Sequence, residues 1–437
     1  MTTSAHSELE LDAIRICQEM IRIPSVNYGD GKGDEKEVAA YVVKQLAEVG
    51  IESKVYEAAP GRCNVIARIK GSNPNRPGLV VHGHIDVVPA NAADWSVDPF
   101  SAEMKDGYIW GRGAVDMKNM DAMILATVRS WARTGYVPER DIVLAFFADE
   151  EAGSIYGSHY MVKNHPEVFA GCTEAVSEVG GFSVTVAGGK RLYLIETAEK
   201  GIHWMKLTAH GRAGHGSMMN EENALTRLTE AVAKIGKYEW PQRYSKTVKA
   251  FFKRIAEASG KPYDESDLRP LLKEIGFASS MIGATLQNTA NPTMLDAGYK
   301  ANVIPGSASA VIDGRFIPGF EDELNATIKQ LIGEHVTVET ITRDKALEVP
   351  FEGDLVDAMC NALIKEDSVA IPVPYVMSGG TDNKALADLG IIGYGFSPLK
   401  LDEDFNFMAM FHGVDERVPV EGLVFGARVL KDFLENV

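Results

Sequence analysis

The chain has 437 residues, of which 45% are hydrophobic and 24% are charged, so it can bury a large core and is expected to form two domains. Its formal net charge of -17 and the lack of a block of Lys and Arg disfavour nucleic acid or anionic lipid as partners. The N-terminus has no basic and apolar leader pattern, and no apolar run is long enough to span a membrane, which predicts a cytoplasmic protein.

The first 150 residues alternate between helical and strand patterns. Apolar residues recur at helical spacing over residues 7–23 and 34–50, and Asp34 is expected to cap the second helix. The runs GLVVHGHIDVV and DIVLAFFADEE are apolar enough to be central strands buried on both faces, and residues 117–134 between them have a helical pattern. Strand, crossover helix and strand predict an α/β fold with a mostly parallel central sheet and helices on both faces.

A different pattern begins near residue 198. Strand, helix, strands, helix and strand follow in that order, which predicts an inserted α+β module of the split βαβ type over residues 198–346. A charged segment within it, residues 238–276, is expected to be helical. The α/β pattern then returns, so residues 1–197 and 347–437 are predicted to form one discontinuous domain.

The segment VVHGHIDVVP carries the first candidate ligands. His82, His84 and Asp86 are two residues apart at the end of an apolar strand, so their side chains share one face. Ligands in open α/β sheets bind at the carboxyl ends of strands, which is where this segment ends. The alternative is that each histidine is a hydrogen-bonded structural residue.

Further acidic residues and one histidine occur in short motifs. GRGAVDMKNM places Asp116 in a glycine-rich turn at the start of a helix, where it is either a cap or a ligand. FFADEEAGS ends a buried strand with the three acids 149–151, whose mutual repulsion favours a bound cation. SEVGG adds Glu178, and MFHGVDERVP adds His412.

Carboxylates and imidazoles without cysteine suit zinc, with manganese or cobalt as alternatives. One bridging Asp with two His and two Glu makes a two-metal site. The motifs HxDxVP, GRGxxDMK, DEExG and HGxxE occur in this order along the chain. With them, nearly the whole chain resembles the dinuclear-zinc exopeptidase and aminoacylase family, which includes carboxypeptidase G, aminoacylase, acetylornithine deacetylase and succinyl-diaminopimelate desuccinylase.

The resemblance implies two zinc ions per chain, for which cobalt or manganese can substitute. It implies that Asp116 bridges the two ions. His84 and Glu178 then complete the ligands of one ion, and Glu151 and His412 complete those of the other.

The resemblance also assigns the remaining polar residues. Glu150 is left as the general base for a water molecule that bridges the ions, and Asp86 orients His84 and raises its basicity. His82 lies outside the ligand sets. The family pattern further implies a cis peptide bond between Asp116 and Met117.

The inserted module resembles the lid and dimerisation domain of the family, so a homodimer is expected. GRAGHGS supplies His215, which is expected to reach the partner's active site, and VIDGRFIP supplies Arg315, which is expected to bind a substrate carboxylate. Other expected substrate contacts are Asn302, Gly379, Gly380 and Thr381. Residues 238–276 resemble the larger lids of the carboxypeptidase S branch and either shape an acyl pocket or cover the surface.

The activity that these residues imply is metal-dependent hydrolysis of an amide bond next to a free carboxylate. The expected substrate is an N-acyl amino acid or a short peptide, because Arg315 requires an anion. A dipeptidase or carboxypeptidase of the same family is the alternative. A phosphoesterase is disfavoured because the second half has no cluster of Arg and Lys, and a scaffold without activity is disfavoured because Glu150 stands beside the ligand Glu151.

Overall fold

The computed structural model describes residues 6–29 and 31–437. The helices are α1 (Glu8–Ile21), α2 (Lys36–Ala47), α3 (Lys118–Thr134), α4 (Ser158–Asn164), α5 (Ala224–Gly236), α6 (Lys246–Ser259), α7 (Ser279–Gly283), α8 (Glu321–Ile332), α9 (Asp354–Glu366), α10 (Asn383–Leu386) and α11 (Val420–Glu435). Within the described residues, no helix combines the length and the apolar character needed to cross a lipid bilayer.

The strands fall into a main sheet, a second sheet and two small ribbons. They are β1 (Ser53–Ala59), β2 (Arg62–Ile69), β3 (Gly78–His84), β4 (Glu103–Lys105), β5 (Tyr108–Trp110), β6 (Ile142–Phe147), β7 (Cys172–Ser177), β8 (Phe182–Val186), β9 (Lys190–Glu199), β10 (Gly201–His210), β11 (Gly214–His215), β12 (Thr289–Ala297), β13 (Val303–Ile304), β14 (Ser307–Phe316), β15 (Val336–Asp344), β16 (Leu347–Glu348), β17 (Ala370–Met377), β18 (Ile392–Gly395) and β19 (Arg417–Pro419).

The main sheet is parallel at its centre. Its strands lie in the order β1-β2-β6-β3-β7-β18-β9-β16, and β8 and β17 also pair with β9. The four strands β6, β3, β7 and β18 are parallel to one another, whereas β2 pairs with β6 and β9 pairs with β18 in the antiparallel sense. The prediction of a mostly parallel central sheet is confirmed.

Alternate residues of the central strands face two apolar clusters. Val80 and Val143 belong to the cluster that includes Met161 of α4, whereas Val81 and Leu144 belong to the cluster that includes residues of α1, α3 and α11. Helices therefore cover both faces, as predicted. This burial explains why β3 and β6 are continuous apolar runs in the sequence.

The first two helices begin differently. Ser7 caps α1, because its side chain accepts a hydrogen bond from the Glu10 amide while the Glu10 carboxylate accepts one from the Ser7 amide. The second helix begins at Lys36 instead of at the predicted Asp34, and Glu35 before it is buried. Asp34 lies two residues before Lys36 and accepts a hydrogen bond from the Lys36 amide at 2.9 Å. It therefore still caps the first turn of the helix, although Glu35 is the residue directly before it.

The inserted module contains the predicted α+β arrangement. Its antiparallel sheet has the strand order β12-β14-β10-β15, and α5 and α8 bury apolar residues such as Leu228 and Ile328 against one face. A short ribbon of β11 and β13 extends from it.

The segment from α6 to residue 286 lies inside the predicted range 198–346 but packs on the main domain. Phe251 and Phe252 of α6 belong to the same apolar cluster as Val373 of β17. Part of the predicted insertion, residues 238–276, therefore contributes to the core of the main domain, and its role in shaping an acyl pocket stays a prediction. The domain boundaries stay a prediction. The segment from α6 to residue 286 departs from it, because this segment packs on the main domain and not on the inserted module.

Candidate active site

Three neighbouring strands end at the same edge of the main sheet. The strands β6, β3 and β7 are parallel, so their carboxyl ends lie side by side. His84 is the last residue of β3, the acids 149–151 follow β6, and Glu178 follows β7. Loops bring Asp116 and His412 to the same place. Buried apolar strands thus hold polar side chains together at one edge.

His84, Asp116 and Glu178 form one triad of potential ligands. The His84 Nε2 atom lies 3.0 Å from Asp116 Oδ1 and 3.6 Å from Glu178 Oε2, and all three residues are buried. One ligand atom of each residue lies within 4.8 Å of the other two, which is close enough for all three to bind one ion.

A second triad contains Asp116, Glu151 and His412. The His412 Nε2 atom lies 2.9 Å from Glu151 Oε2 and 3.3 Å from Asp116 Oδ2. One carboxylate oxygen of Asp116 therefore faces each histidine, which is the arrangement of a bridging ligand. The peptide bond between Asp116 and Met117 is cis, which confirms that prediction.

Three residues at the site have left-handed backbone conformations although none is glycine. The φ angles are +66° at Asp149, +52° at Val179 and +56° at His412. The conformation is most unusual for Val179, because its side chain is β-branched. Such residues are retained where the surrounding structure determines the backbone, and they cluster at functional sites.

Burial and mutual repulsion shift the pKa values of the carboxylates in the two triads. Burial raises the pKa of Glu151 to about 7 and the nearby Asp116 adds to this effect. Burial likewise raises the pKa of Glu178 to about 7. Hydrogen bonds to Asp116 and Glu151 raise the pKa of His412 to about 10. Each of these shifts makes protonation of the group more favourable, which is what burial of several carboxylates side by side is expected to do.

The donor set suits divalent ions that accept nitrogen and oxygen ligands. The two triads offer two imidazoles and three carboxylates with no thiolate. The Oε1 atom of Glu151 is buried and has no hydrogen-bond partner among the described residues. A cation beside this oxygen would satisfy it.

Asp86 connects the first histidine to the acidic turn. Its carboxylate accepts hydrogen bonds from the Glu150 amide at 3.1 Å and from the Glu151 amide at 3.2 Å. The His84 Nδ1 atom lies 3.0 Å from the Asp86 carbonyl oxygen and 3.4 Å from its carboxylate. A proton held on Nδ1 leaves Nε2 free to bind an ion.

Glu150 stands beside both triads without belonging to either. Its Oε2 atom lies 4.0 Å from the His84 Nε2 atom, and its side chain lines the cavity above the triads. Burial raises the pKa of Glu150 well above its ordinary value, and the negative charge of Glu178 adds to this effect. A carboxyl group in this position is suited to exchange a proton with a reacting molecule in the cavity.

Comparison with known proteins decides the family. Residues 80–436 match the model of peptidase family M20/M25/M40. The chain is a member of this family. It is 28% identical to human aminoacylase-1 over 427 residues, which cover 95% of this chain and 93% of that protein. It is 27% identical to the N-fatty-acyl-amino acid synthase/hydrolase PM20D1 of Xenopus tropicalis over 437 residues, which cover 95% and 84% of the two chains.

Solved structures of the M20 family share the fold. The M20 family metallo-carboxypeptidase Sso-CP2 from Sulfolobus solfataricus superposes with a TM-score of 0.74 at 17% identity, over 97% of this chain and 99% of that chain. Human carnosine dipeptidase 1 gives a TM-score of 0.69 at 15% identity, over 98% and 96%.

The predicted lid residues of this M20 member lie apart from the triads. His215 is exposed, and its Nδ1 atom lies 2.8 Å from the Ser217 hydroxyl. The Gly216 amide donates to the Asn302 carbonyl at 2.9 Å, so Asn302, which precedes β13, lies beside the residue that follows His215. Neither residue is among the described residues that line the cavity above the triads.

Arg315 is paired within its own strand. Its guanidinium donates to the two carboxylate oxygens of Asp313 at 2.7 and 3.2 Å and lies 5.9 Å from the centre of the Trp204 ring. Arg315 is likewise not among the described residues that line the cavity. A substrate carboxylate that binds Arg315 must therefore compete with Asp313.

The loop SGGTD reaches the cavity only in part. Gly379 and Gly380 line it, and their contact with substrate stays a prediction. The Thr381 side chain is buried instead, because its hydroxyl donates to Glu199 at 2.6 Å and its amide donates to the same carboxylate at 2.9 Å. His82 is buried beside Asn383 at 2.9 Å, in agreement with its expected position outside the ligand sets.

Sequence reasoning missed a buried network behind Asp86. The Asn27 amide group donates to Asp86 at 2.9 Å and to Asp149 at 3.0 Å. Arg62 donates in turn to the Asn27 side chain at 3.0 Å and is ion-paired with Glu35. No local motif marks Asn27 or Arg62, since their partners are distant in the sequence.

A second missed contribution comes from Glu416, the last residue of the HGxxE motif. Its carboxylate accepts hydrogen bonds from the amides of Gly113 and Val115 at 3.1 and 2.8 Å and from Arg112 at 2.6 Å. Arg112 also donates to the Gly413 carbonyl at 3.1 Å. The pair therefore joins the turn before the shared aspartate to the loop of the second histidine. The motif itself was a signal available in the sequence.

Proposed function

We propose that this chain is an amidohydrolase that cleaves the amide bond of N-acyl amino acids with the help of two zinc ions. The observation that carries the proposal is that two triads share Asp116 while Glu150 remains outside both. A shared carboxylate suits a pair of ions, and an adjacent free carboxylate suits a general base.

The ligands of the two ions are the triads described above. His84 and Glu178 with one oxygen of Asp116 would hold one zinc ion, and Glu151 and His412 with the other oxygen would hold the second. When bound, such ions polarise a substrate carbonyl and make water more acidic. Cobalt or manganese could replace zinc at these nitrogen and oxygen donors.

Glu150 moves the proton. Its carboxylate takes a proton from the attacking water, and the protonated group then gives this proton to the amine that leaves. Asp86 assists by fixing the backbone amide of Glu150, so the carboxylate stays beside the reacting atoms.

The substrate class follows from the relatives and from Arg315. Aminoacylase-1 and N-fatty-acyl-amino acid synthase/hydrolase are the names of relatives that match 95% of this chain. Every N-acyl amino acid has a free α-carboxylate, and Arg315 offers a planar guanidinium that suits it. Lid closure would bring this residue to the cavity.

A dipeptidase or carboxypeptidase activity is the second candidate. The observation in its favour is the relative named probable carboxypeptidase S-like 2 of Dictyostelium discoideum, which is 27% identical over 372 residues and matches 80% of this chain. A dipeptide also has an amide bond next to a free carboxylate, so the same residues would act on it.

We further propose a homodimer that forms through the lid. Strand β12 lies at the edge of the lid sheet, where its backbone can pair with another strand. Met294 and Leu295 on this strand and Tyr299 after it are 67%, 57% and 82% exposed, which is unusual for apolar residues. An exposed His215 that is absent from the cavity of its own chain would then serve the partner's site.

Assays of amine release test the proposal. Zinc-loaded protein is incubated with N-acetyl amino acids and, separately, with dipeptides. Hydrolysis of the N-acetyl compounds is the expected result. Cleavage of dipeptides alone would replace the main candidate with the second, and no amine from either class would contradict both.

A further inference from the structure

The cavity above the triads has an acidic floor and an apolar wall. The floor consists of Asp116, Glu150, Glu151 and Glu178. The apolar wall consists of Val179, Met281, Met377, Met408 and Phe411. None of the described residues that line this cavity of about 280 Å³ is a Lys or an Arg.

The apolar wall adjoins the ligands directly. Val179 follows Glu178 in the sequence, and Phe411 precedes His412. Because these residues line the same cavity, a group bonded to a carbonyl at the triads would lie close to the wall. Met281 belongs to α7, in the segment that packs on the main domain.

The apolar wall is supported by the core. Met281, Met408 and Phe411 are partly buried and pack against the main apolar cluster. The rings of Phe407 and Phe411 lie 5.1 Å apart, and Phe407 lies 4.9 Å from the buried ring of Phe182. The wall is thus already formed, while its three methionines can adapt to the shape of a ligand.

We infer that the apolar wall binds the acyl chain of the substrate and that Met281 and Met408 determine which chain lengths are accepted. This inference rests on the proposed function. The amino acid half of the substrate has a carboxylate, for which the cavity offers no Lys or Arg. The acyl half has no charge, so its burial against methionine and phenylalanine side chains is favourable.

The size of the cavity limits the chain. Its volume of about 280 Å³ is close to the lower end of the range for small-molecule sites, roughly 300 to 1,000 Å³. Each buried CH₂ group is expected to raise kcat/KM about fourfold. We therefore expect kcat/KM to rise from the N-acetyl to the medium-length substrates and then to level off when the cavity is full.

The test measures kcat/KM for the N-acetyl, N-butyryl, N-hexanoyl and N-octanoyl derivatives of alanine. It uses the full-length, zinc-loaded protein in the oligomeric state in which it is purified. In the Met281→Trp variant, the larger ring fills part of the cavity, so the ratio of kcat/KM for the octanoyl and acetyl substrates should fall about 10-fold or more. Met408→Trp changes another residue of the apolar wall and serves as the second variant if Met281→Trp does not fold. The matched control is Met219→Trp, because Met219 is 90% exposed on the lid.

Calorimetry gives a reading that does not need turnover. The Glu150→Gln variant should bind N-octanoyl-alanine more tightly than N-acetyl-alanine. Adding Met281→Trp to this variant should remove the difference in affinity. Equal affinity for the two compounds, or a flat series of kcat/KM values, would overturn the inference while hydrolysis of N-acetyl-alanine leaves the proposed function intact. Failure to hydrolyse any member would overturn the proposed function, and the calorimetry would still decide the role of the apolar wall.

Discussion

The two triads and the lid residues differ in how tightly their surroundings hold them. His84 is 1% exposed, and its imidazole contacts Asp86 on one side and Asp116 on the other. His215 is exposed and has the nearby Ser217 as its hydrogen-bond partner. His84 is therefore held in part by Asp116 from another loop, whereas His215 is held by a residue of its own turn.

This difference separates two tasks of the proposed reaction. Ions require ligands at fixed positions, and a rigid strand edge with supporting hydrogen bonds provides them. Substrate has to enter and leave, so residues that contact it late are better placed on a part that moves. Mutations in the two regions should therefore have different signatures.

The largest effect is expected from Glu150→Gln. The variant should keep both ions, because Glu150 is outside the triads, yet kcat should fall about 10²- to 10⁴-fold as the general base is lost. Glu151→Gln is the matched variant, since it should loosen an ion instead. Elemental analysis and kcat are measured on both. The opposite pattern would reverse the two assignments.

A somewhat smaller effect is expected from His215→Ala. The role that we propose for His215 in the partner's site is to donate a hydrogen bond to the developing oxyanion, and loss of one such donor should lower kcat by about 10²- to 10³-fold. Mixing this variant with Glu150→Gln subunits should restore activity, because a heterodimer would contain one complete site.

The exposed lid histidine His210 provides the control, and His210→Ala should retain activity. If activity does not return after confirmed exchange of subunits, His215 acts within its own chain or has no role in the reaction.

Asp86→Ala tests how far the supporting residues hold the ions. The substitution removes the acceptor of the Glu150 and Glu151 amides and a partner of His84, so metal affinity should fall about 10- to 100-fold. Competition with a chelator measures the affinity. His82→Gln on the same strand face is the control, and equal losses of affinity in both variants would argue against a specific role of Asp86.

The smallest effect is a pH dependence of the metal-free protein. The pKa of Glu151 and that of Glu178 are raised from 4.5 to about 7 by burial, so between these values the folded chain binds more protons than the unfolded chain. The stability of the metal-free protein should therefore fall as pH rises through this window.

Thermal unfolding at pH 5 and pH 8, with and without a chelator, measures this dependence. Bound ions replace the protons, so the metal-loaded protein should lose less stability between the two pH values. A metal-free Tm that is equal at pH 5 and pH 8 would contradict the electrostatic description of the site.

Much of the main domain was predictable from the sequence because its signals are local. The apolar runs of β3 and β6 and the helical spacing of apolar residues in α1 each depend on neighbours in the chain. The sequence motifs also named the five residues of the two triads, and within each triad the potential ligand atoms lie within 4.8 Å of one another. Their roles as ligands remain proposals.

Features that depend on distant partners were not predictable. Arg62 and Asn27 are 35 positions apart, and nothing near either residue indicates their hydrogen bond. The packing of α6 against β17 likewise depends on residues far apart in the chain. Thr381 was expected to contact substrate because of its loop, yet the buried carboxylate of Glu199 binds its hydroxyl.

The central claim is that this chain hydrolyses N-acyl amino acids with two ions that share Asp116. Its most direct test is to strip the protein with a chelator and to titrate zinc back while bound zinc and the hydrolysis of an N-acetyl amino acid are followed together. We predict that activity is lost on stripping and returns in full at two ions per chain. Activity that persists in the stripped protein, or a chain that binds no zinc, would contradict the claim.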